Sequence, residues 1–338
     1  MQENVQTASL SHINHHEWYR NKGVKTDGSL FLKSEYRHNP YLNFYGDFQY
    51  RLVHYTIDGP DEDIFDGGEA MAFDQQYRFF NPKVGVNWIP SINNRLYFVA
   101  GIAHREPTRA DIKDVLKTND TIKAEALLDF EWGYQYQSSK LSFNVNADSM
   151  LYKDQLTASG ELSPSGYALM VNVDKSYRLG LEMEAGYRFS KWFDVSGNLT
   201  LSTNKILDYQ YNDSVNLGTT NLSFSPSTVG ALLLTFSPVG NLKLQLSGKY
   251  VGQMYADNTS REEMLQDDYF IMNFKASYKW LLGADGNKEL ESQFVVNNIL
   301  NQRYRLSAWA ADYGNGQIYR GYYQQPGINV AARIVLKF

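Results

Sequence analysis

The sequence predicts an all-β fold, a transmembrane antiparallel up-and-down β-barrel of which only part is present. Three observations carry this: apolar residues at every second position, short polar turns alternating with long loops, and aromatic residues gathered beside the turns. In an extended chain successive side chains point to opposite faces, so a two-residue rhythm makes one face greasy and the other wet.

The rhythm begins with Lys33, Glu35, Arg37, Asp47, Gln49 and Arg51, a polar set expected to face a lumen. Leu96, Phe98, Ala100 and Ile102 form an apolar set, and so do Ala126, Leu128, Phe130, Trp132, Tyr134 and Tyr136, which alternate with Glu125, Asp129, Glu131 and Gln135. The pattern returns at Leu141 to Ala147, at Leu179 to Phe189 and at Leu242 to Tyr250. It closes with Ile328, Val330, Ala332, Ile334, Leu336 and Phe338 against Asn329, Arg333 and Lys337. No helical-period stretch is read between these segments.

Short turns are expected near Asn39, Pro90 to Asn94, Ser138 to Lys140, Ser190, Ser237 to Asn241 and Gly283 to Lys288. Long loops are expected at Asp58 to Phe73, Arg105 to Lys123, Thr157 to Asp174, Gln210 to Leu222, Ala256 to Asp267 and Arg303 to Gln325. Strict alternation of the two kinds puts all turns on one rim and all loops on the other. Tyr36, Tyr41, Trp88, Tyr134, Tyr136, Tyr187, Phe189, Trp192, Tyr278 and Trp280 lie beside the turns, where an interfacial girdle belongs.

Composition excludes other classes. Mean hydropathy is −0.45, and no run reaches the roughly 18 apolar residues of a spanning helix. The 338 residues carry a net charge of −5 with interspersed signs, which does not resemble a nucleic-acid-binding surface. Cysteine is absent, which removes disulfides and thiolate chemistry. No elbow serine, phosphate-cradling loop or paired-histidine motif is present, so no enzymatic activity and no cofactor are expected.

Several stretches are similar, in order, to segments of the TonB-dependent receptors. Arg105-Glu106-Pro107-Thr108-Arg109 resembles that family's strand-to-loop junction, and Asn144 to Leu156 the strand after it. Tyr250 to Asn258 resembles a late hairpin; Val296 to Tyr304, with Pro326-Gly327-Ile328 and Leu336-Lys337-Phe338, resembles the closing hairpin. The resemblance implies about 14 strands of a larger plugged barrel whose full wall has about 22. It further implies a bacterial outer-membrane location and contact with outer-membrane lipid. The barrel-assembly machinery would read the last strand ending at Phe338, and the TonB energy-coupling complex would engage only if the missing plug is supplied. Residues 1–25 are read as a strand or loop remnant and 26–338 as the C-terminal barrel, with the plug absent and the coupling residues upstream of Met1.

The expected function is capture of an iron-siderophore-like or similar large nutrient by long extracellular loops for TonB-dependent uptake. The alternatives are a self-closing, porin-like passive channel of about 14 strands and a truncated product without transport activity of its own. Candidate ligand contacts are Arg105 and Arg109 in one loop and Arg303, Arg305, Trp309, Tyr313, Tyr319, Arg320 and Tyr322 in the last, a mixture suited to aromatic and anionic groups. His12, His15 and His16 are read as a polar strand end, and the acidic loop with Asp61, Glu62, Asp63 and Asp66 as a solvated loop, so no metal site is expected.

Overall fold

The computed structural model describes residues 19–61, 70–118, 121–162, 168–212, 215–282, 288–312 and 318–337. The histidine cluster, the acidic residues Glu62, Asp63 and Asp66, Tyr313, Phe338, most of the Gly283 to Lys288 turn and the strand expected before Asn21 lie outside them. The wall strands are β1 (Lys22–Asn39), β2 (Leu42–Pro60), β3 (Ala70–Ser91), β4 (Asn94–Arg105), β5 (Glu125–Gln137), β6 (Leu141–Leu162) and β7 (Ala168–Arg188). They continue as β8 (Phe193–Leu207), β9 (Thr228–Val239), β10 (Leu242–Val251), β11 (Tyr269–Leu282), β12 (Lys288–Asn297) and β13 (Asn329–Lys337). These thirteen strands follow one another in a single sheet path, and the short segment Thr220–Asn221 pairs with β8 as a fourteenth member. Every wall pairing is antiparallel and joins neighbours in sequence.

Register decides which side chains share a face. Lys33 lies opposite Asp47, Glu35 opposite Tyr45, and Phe31 opposite Gln49, while Leu30 meets Tyr50 and Leu32 meets Phe48. Following these pairs around the sheet puts Lys83, Tyr97, Asp129, Glu131, Asn146, Asp148, Glu182, Glu184, Asn198, Lys275, Gln293 and Arg333 on the inner face. The outer face carries Leu52, Val84, Phe98, Trp132, Leu179, Leu181, Leu199, Leu232, Phe270, Phe294, Val330 and Ile334, all solvent-exposed. An apolar band of that extent belongs against lipid. All ten expected girdle aromatics fall on this outer side or in the adjoining turns.

Two inner positions show why glycine interrupts the wall. Gly85 lies opposite Tyr45 and Gly133 opposite Tyr97, and a Cβ at either glycine would strike the tyrosine ring. The rings lie flat across the neighbouring strand, and the Tyr97 hydroxyl donates to Asn146 Oδ1 on β6 at 3.1 Å.

The described turns are short, as at Pro40 and Tyr41 or Ile92 and Asn93, and all fall on one rim. Three expectations for the other rim need correction. Asp58 to Pro60 pair with Ala70 to Ala72, and Thr157 pairs with Val171, so much of two expected loops is strand carried beyond the membrane. The Arg105 to Lys123 connection contains a helix, α1 (Arg109–Thr118), where no helical period was read. The Arg303 to Gln325 loop contains a hairpin, Arg305–Asp312 with Ile318–Gln324.

Among the described residues, β1 and β13 each pair on one side only. β1 ends at the first short turn and β13 follows the last long connection, so both run from the loop rim to the turn rim.

The face assignment has a direct test. Leu181→Arg, on the outer face between Ala147 and Leu201, should cost about 2–4 kcal/mol of folding free energy in vesicles. Glu182→Gln, one residue on and inward, should change it by less than about 1 kcal/mol. Denaturant titration from lipid vesicles measures both, and equal costs would contradict the assignment.

Candidate functional site

The loop rim is built by connections folding back over the inner face. Thr108 opens α1: its backbone N–H and hydroxyl donate to Asp111 Oδ2, both at 2.8 Å, and the Asp111 N–H returns to Thr108 Oγ1 at 3.4 Å. This reciprocal cap satisfies amides that the first helical turn leaves free. Ile112 then inserts, fully buried, among Tyr55, Ile57 and Met71. Lys113 Nζ lies 2.8 Å from Asp61 Oδ2, which also accepts from Asn21 Nδ2 at 2.6 Å.

Just before the helix, Glu106 is buried and receives three cationic donors. Arg51 Nη1 and Nη2 reach its two oxygens at 2.8 Å each, and Lys25 Nζ pairs with it. Arg51 also holds Asp27 on β1. Burial alone would raise the Glu106 carboxyl, but the hydrogen bonds from Arg51 and Lys25 outweigh it and hold the pKa at about 2. A loop carboxylate thus ties the start of α1 to two wall strands.

A second set of contacts joins two further connections to the outer end of β6. Asn258, fully buried, accepts from the Ser223 N–H at 2.9 Å and donates to the Ala158 carbonyl at 2.9 Å. The Asn221 N–H donates to Ser260 Oγ at 2.7 Å. Val173, Ile206, Tyr209 and Leu222 pack beneath as a small core.

The last connection is fixed at its base by asparagines. Asn298, buried and in left-handed backbone (φ 51), accepts from the Gln302 N–H at 3.0 Å and donates to the Gln302 and Pro326 carbonyls. Asn301 Oδ1 accepts from the Ile328 N–H at 3.0 Å, and a Cβ at Gly327 would strike that oxygen. Both ends of the connection are therefore clamped together. Above the clamp the Tyr304 ring packs on Tyr269 with centroids 4.6 Å apart, and the Arg305 guanidinium lies over the Tyr322 ring at 3.7 Å.

The sequence-selected residues fall into two groups. Arg105 is exposed at the end of β4 and paired with Glu125 at 2.9 Å, and Arg109 opens α1 with its guanidinium towards Gly23. Arg305 and Tyr322 meet at the base of the last hairpin, with Arg303 two residues before Arg305, and all three are exposed. Trp309, Tyr319 and Arg320 belong to that hairpin by register, opposite Gly321, Ala311 and Ala310. Sequence reasoning missed Asn298 and Asn258 as clamps, whereas Glu106 lies in the mixed-charge segment after β4 that the residue types mark as a salt-bridged loop base, and Glu106, Arg105 and Lys113 are all ion-paired there. The Thr108-to-Asp111 spacing was a readable capping signal. Among the described residues no group of three or more His, Asp or Glu is arranged to hold a metal ion.

A family profile described as TonB dependent receptor-like, beta-barrel, matches residues 7–299. Among curated proteins no relative matches. Similar solved structures include the siderophore receptor PiuA from Acinetobacter baumannii, at 14% identity and TM-score 0.70 over 94% of this chain and 43% of that one. The copper transporter OprC, at 17% identity and TM-score 0.70, is aligned over 92% of this chain and 47% of its own. The unliganded ferric citrate transporter FecA, at 15% identity and TM-score 0.72, is aligned over 94% of this chain and 46% of its own. The chain therefore spans less than half the length of each.

The Glu106 anchor predicts a pH response. Its folded pKa of about 2 lies below the ordinary 4.5, so its contribution is complete above pH 4.5 and is lost as pH falls from there towards 2. Amide protection factors of residues 105–118, taken relative to the intrinsic exchange rate at each pH, should fall across that window. Glu106→Gln should weaken the anchor by about 2 kcal/mol at neutral pH. Exchange mass spectrometry that shows 105–118 unchanged in the variant would refute the anchor.

Proposed function

Because the chain belongs to the family of TonB-dependent receptor-like β-barrels, we propose that it forms wall and outer loops of a bacterial outer-membrane receptor that captures a metal chelate or a similarly large nutrient. The loop rim faces outward, and the turn rim faces the periplasm. The observation that carries the reading is the set of loops folded inward and clamped, presenting guanidinium and aromatic groups from Arg303, Arg305 and Tyr322 above a polar inner face. Guanidinium forks bind carboxylate or catecholate oxygens in pairs, and ring faces accept the flat parts of a chelate. Arg105, Arg109, Trp309, Tyr313, Tyr319 and Arg320 are assigned to the same capture surface.

Residues 26–338 form the barrel part in this proposal. Further strands complete the wall, a plug fills the polar lumen, and the TonB complex supplies energy through that plug. The barrel-assembly machinery takes up the chain at its last strand. Among the described residues β1 and β13 run the same way, so an antiparallel seam needs an odd number of added strands. Open edges in hydrocarbon leave backbone groups unpaired, at several kcal/mol each. The passive-channel reading requires instead that this chain close on itself.

Two measurements test the proposal. Ferric citrate, ferric catecholate complexes and copper(II) are titrated against the full-length product in detergent, with tryptophan fluorescence as readout. At least one should bind, and Arg303→Gln with Arg305→Gln should weaken it about tenfold or more. In planar bilayers this chain alone should give no steady current; sustained conductance would overturn the receptor reading in favour of the channel.

A further inference from the structure

The outward register of β6 and β7 ends on a charge conflict. Ser149 pairs with Leu179 and Leu151 with Tyr177, and the next outward pair is Lys153 with Lys175. Both lysines are exposed, and among the described residues neither meets an acidic group. Side chains directly opposite on antiparallel strands stand about 5 Å apart, where like charges are destabilising. Lys205 on β8, opposite Tyr177, adds a third cation whose partner is neutral, since its Nζ donates to Asn221 Oδ1 at 2.7 Å. The neighbouring acids are engaged with another lysine: Asp154 holds Lys123 at 3.1 Å, and Asp174 also attracts it. On β2 and β3, by contrast, the outward groups His54 and Asp74 pair with each other at 2.8 Å.

Height identifies what covers the lysines. Tyr187, in the girdle, and Tyr177 are ten positions apart on β7. At about 3.3 Å per residue and a tilt of about 40°, they are separated by about 25 Å along the membrane normal, the height of the apolar band of such barrels. The outward residues between them, Ala185, Met183, Leu181 and Leu179, are all apolar. Lys175 comes one outward step beyond Tyr177. With the loop rim facing outward, the pair therefore lies at the headgroup level of the outer leaflet.

We propose that Lys153 and Lys175, flanked by Lys205, bind the phosphate of an outer-leaflet lipid headgroup, with its acyl chains along the exposed Leu151, Leu179 and Leu181. A phosphate has acceptor oxygens enough to take a hydrogen bond from each ammonium, and its charge replaces their repulsion with two attractions. The apolar band directly below selects a phosphate carrying hydrocarbon over a free one. A zwitterionic headgroup brings its own cation and so offers the lysines less. The assignment rests on the reading that the loop rim is extracellular, and it is independent of what the loops capture.

The test uses the full-length product in neutral detergent, with dioleoyl phosphatidic acid, dioleoyl phosphatidylcholine and inorganic phosphate as probes in native mass spectrometry. Phosphatidic acid should bind about tenfold or more tightly than phosphatidylcholine, because each lysine beside an anionic headgroup contributes about fivefold. Lys153→Gln with Lys175→Gln should remove most of that preference, whereas Lys140→Gln with Lys191→Gln, on the turn rim, should leave it. Thermal melting adds a second readout. The Lys153→Gln, Lys175→Gln variant should melt above the unaltered protein in phosphatidylcholine vesicles, where only repulsion is lost, and below it in vesicles of equal parts phosphatidylcholine and phosphatidic acid. An undiminished preference in that variant, a shift of the same sign in both vesicles, or competition by inorganic phosphate at equal concentration overturns the lipid site and leaves the receptor reading standing. Asn216→Cys, exposed to an impermeant maleimide on intact cells, reads the orientation separately; absence of label overturns the outer-leaflet assignment together with the extracellular loop rim.

Discussion

The structure depends on one constraint: in hydrocarbon, every backbone N–H and C=O must find its partner within the protein. A ladder of antiparallel strands meets it only if pairing runs unbroken from strand to strand, as it does from β1 to β13. Once pairing is continuous, the pleat assigns every second residue to lipid and its neighbours to the lumen, without further choice. Leu30 opposite Tyr50 and Lys33 opposite Asp47 are two consequences of one register. A slip of a single residue would bring Lys33 to the lipid side, which is why the register is so strongly determined.

The same rule sets a boundary between wall and loops. Where β2 leaves the membrane, its inward residues change from Asp47, Gln49 and Arg51 to the buried Val53, Tyr55 and Ile57. Water no longer lines that level of the inner face; α1 does, through Ile112. An apolar inward residue near the loop rim therefore marks a place where a connection folds back. The inner wall is also divided by charge. β5 to β7 present Asp129, Glu131, Asp148, Glu182 and Glu184, whereas β10, β11 and β13 present Lys249, Lys275 and Arg333, with Lys279 and Lys337 paired to Glu289 and Glu291 on β12. Such a division gives the inner face a fixed field direction across its width.

This division of labour explains what could be read from sequence. Leu179, Leu181 and Met183 announce a strand because lipid and water impose opposite demands on adjacent residues. That signal fades where both faces meet protein or solvent. Asp58 to Pro60 and Ala70 to Ala72 are paired by backbone with Met71 packed into the core, and their acidic and glycine-rich surroundings looked like loop. The helix α1 carries Ile112, Val115 and Leu116 at helical spacing, a signal confined to three residues among charged neighbours and too short to stand out. Arg303, Arg305 and Tyr322 were legible by residue type. Asn298 and Asn258 were not, because their roles come from burial, which only the fold supplies.

Low identity at high structural similarity follows from the same physics. The chain shares 14–17% of residues with PiuA, OprC and FecA at TM-scores of 0.70–0.72. An outward position asks only for something apolar, and an inward one only for something polar, so a wall tolerates near-complete replacement while its ladder stays in place. Side-chain clamps have no such freedom. Asn298 must accept from one amide and donate to two carbonyls in left-handed backbone, and Gly327 must leave room for Asn301 Oδ1. The loops therefore keep their shape through such clamps rather than through an apolar and polar alternation, and the wall's part is to carry them at the rim.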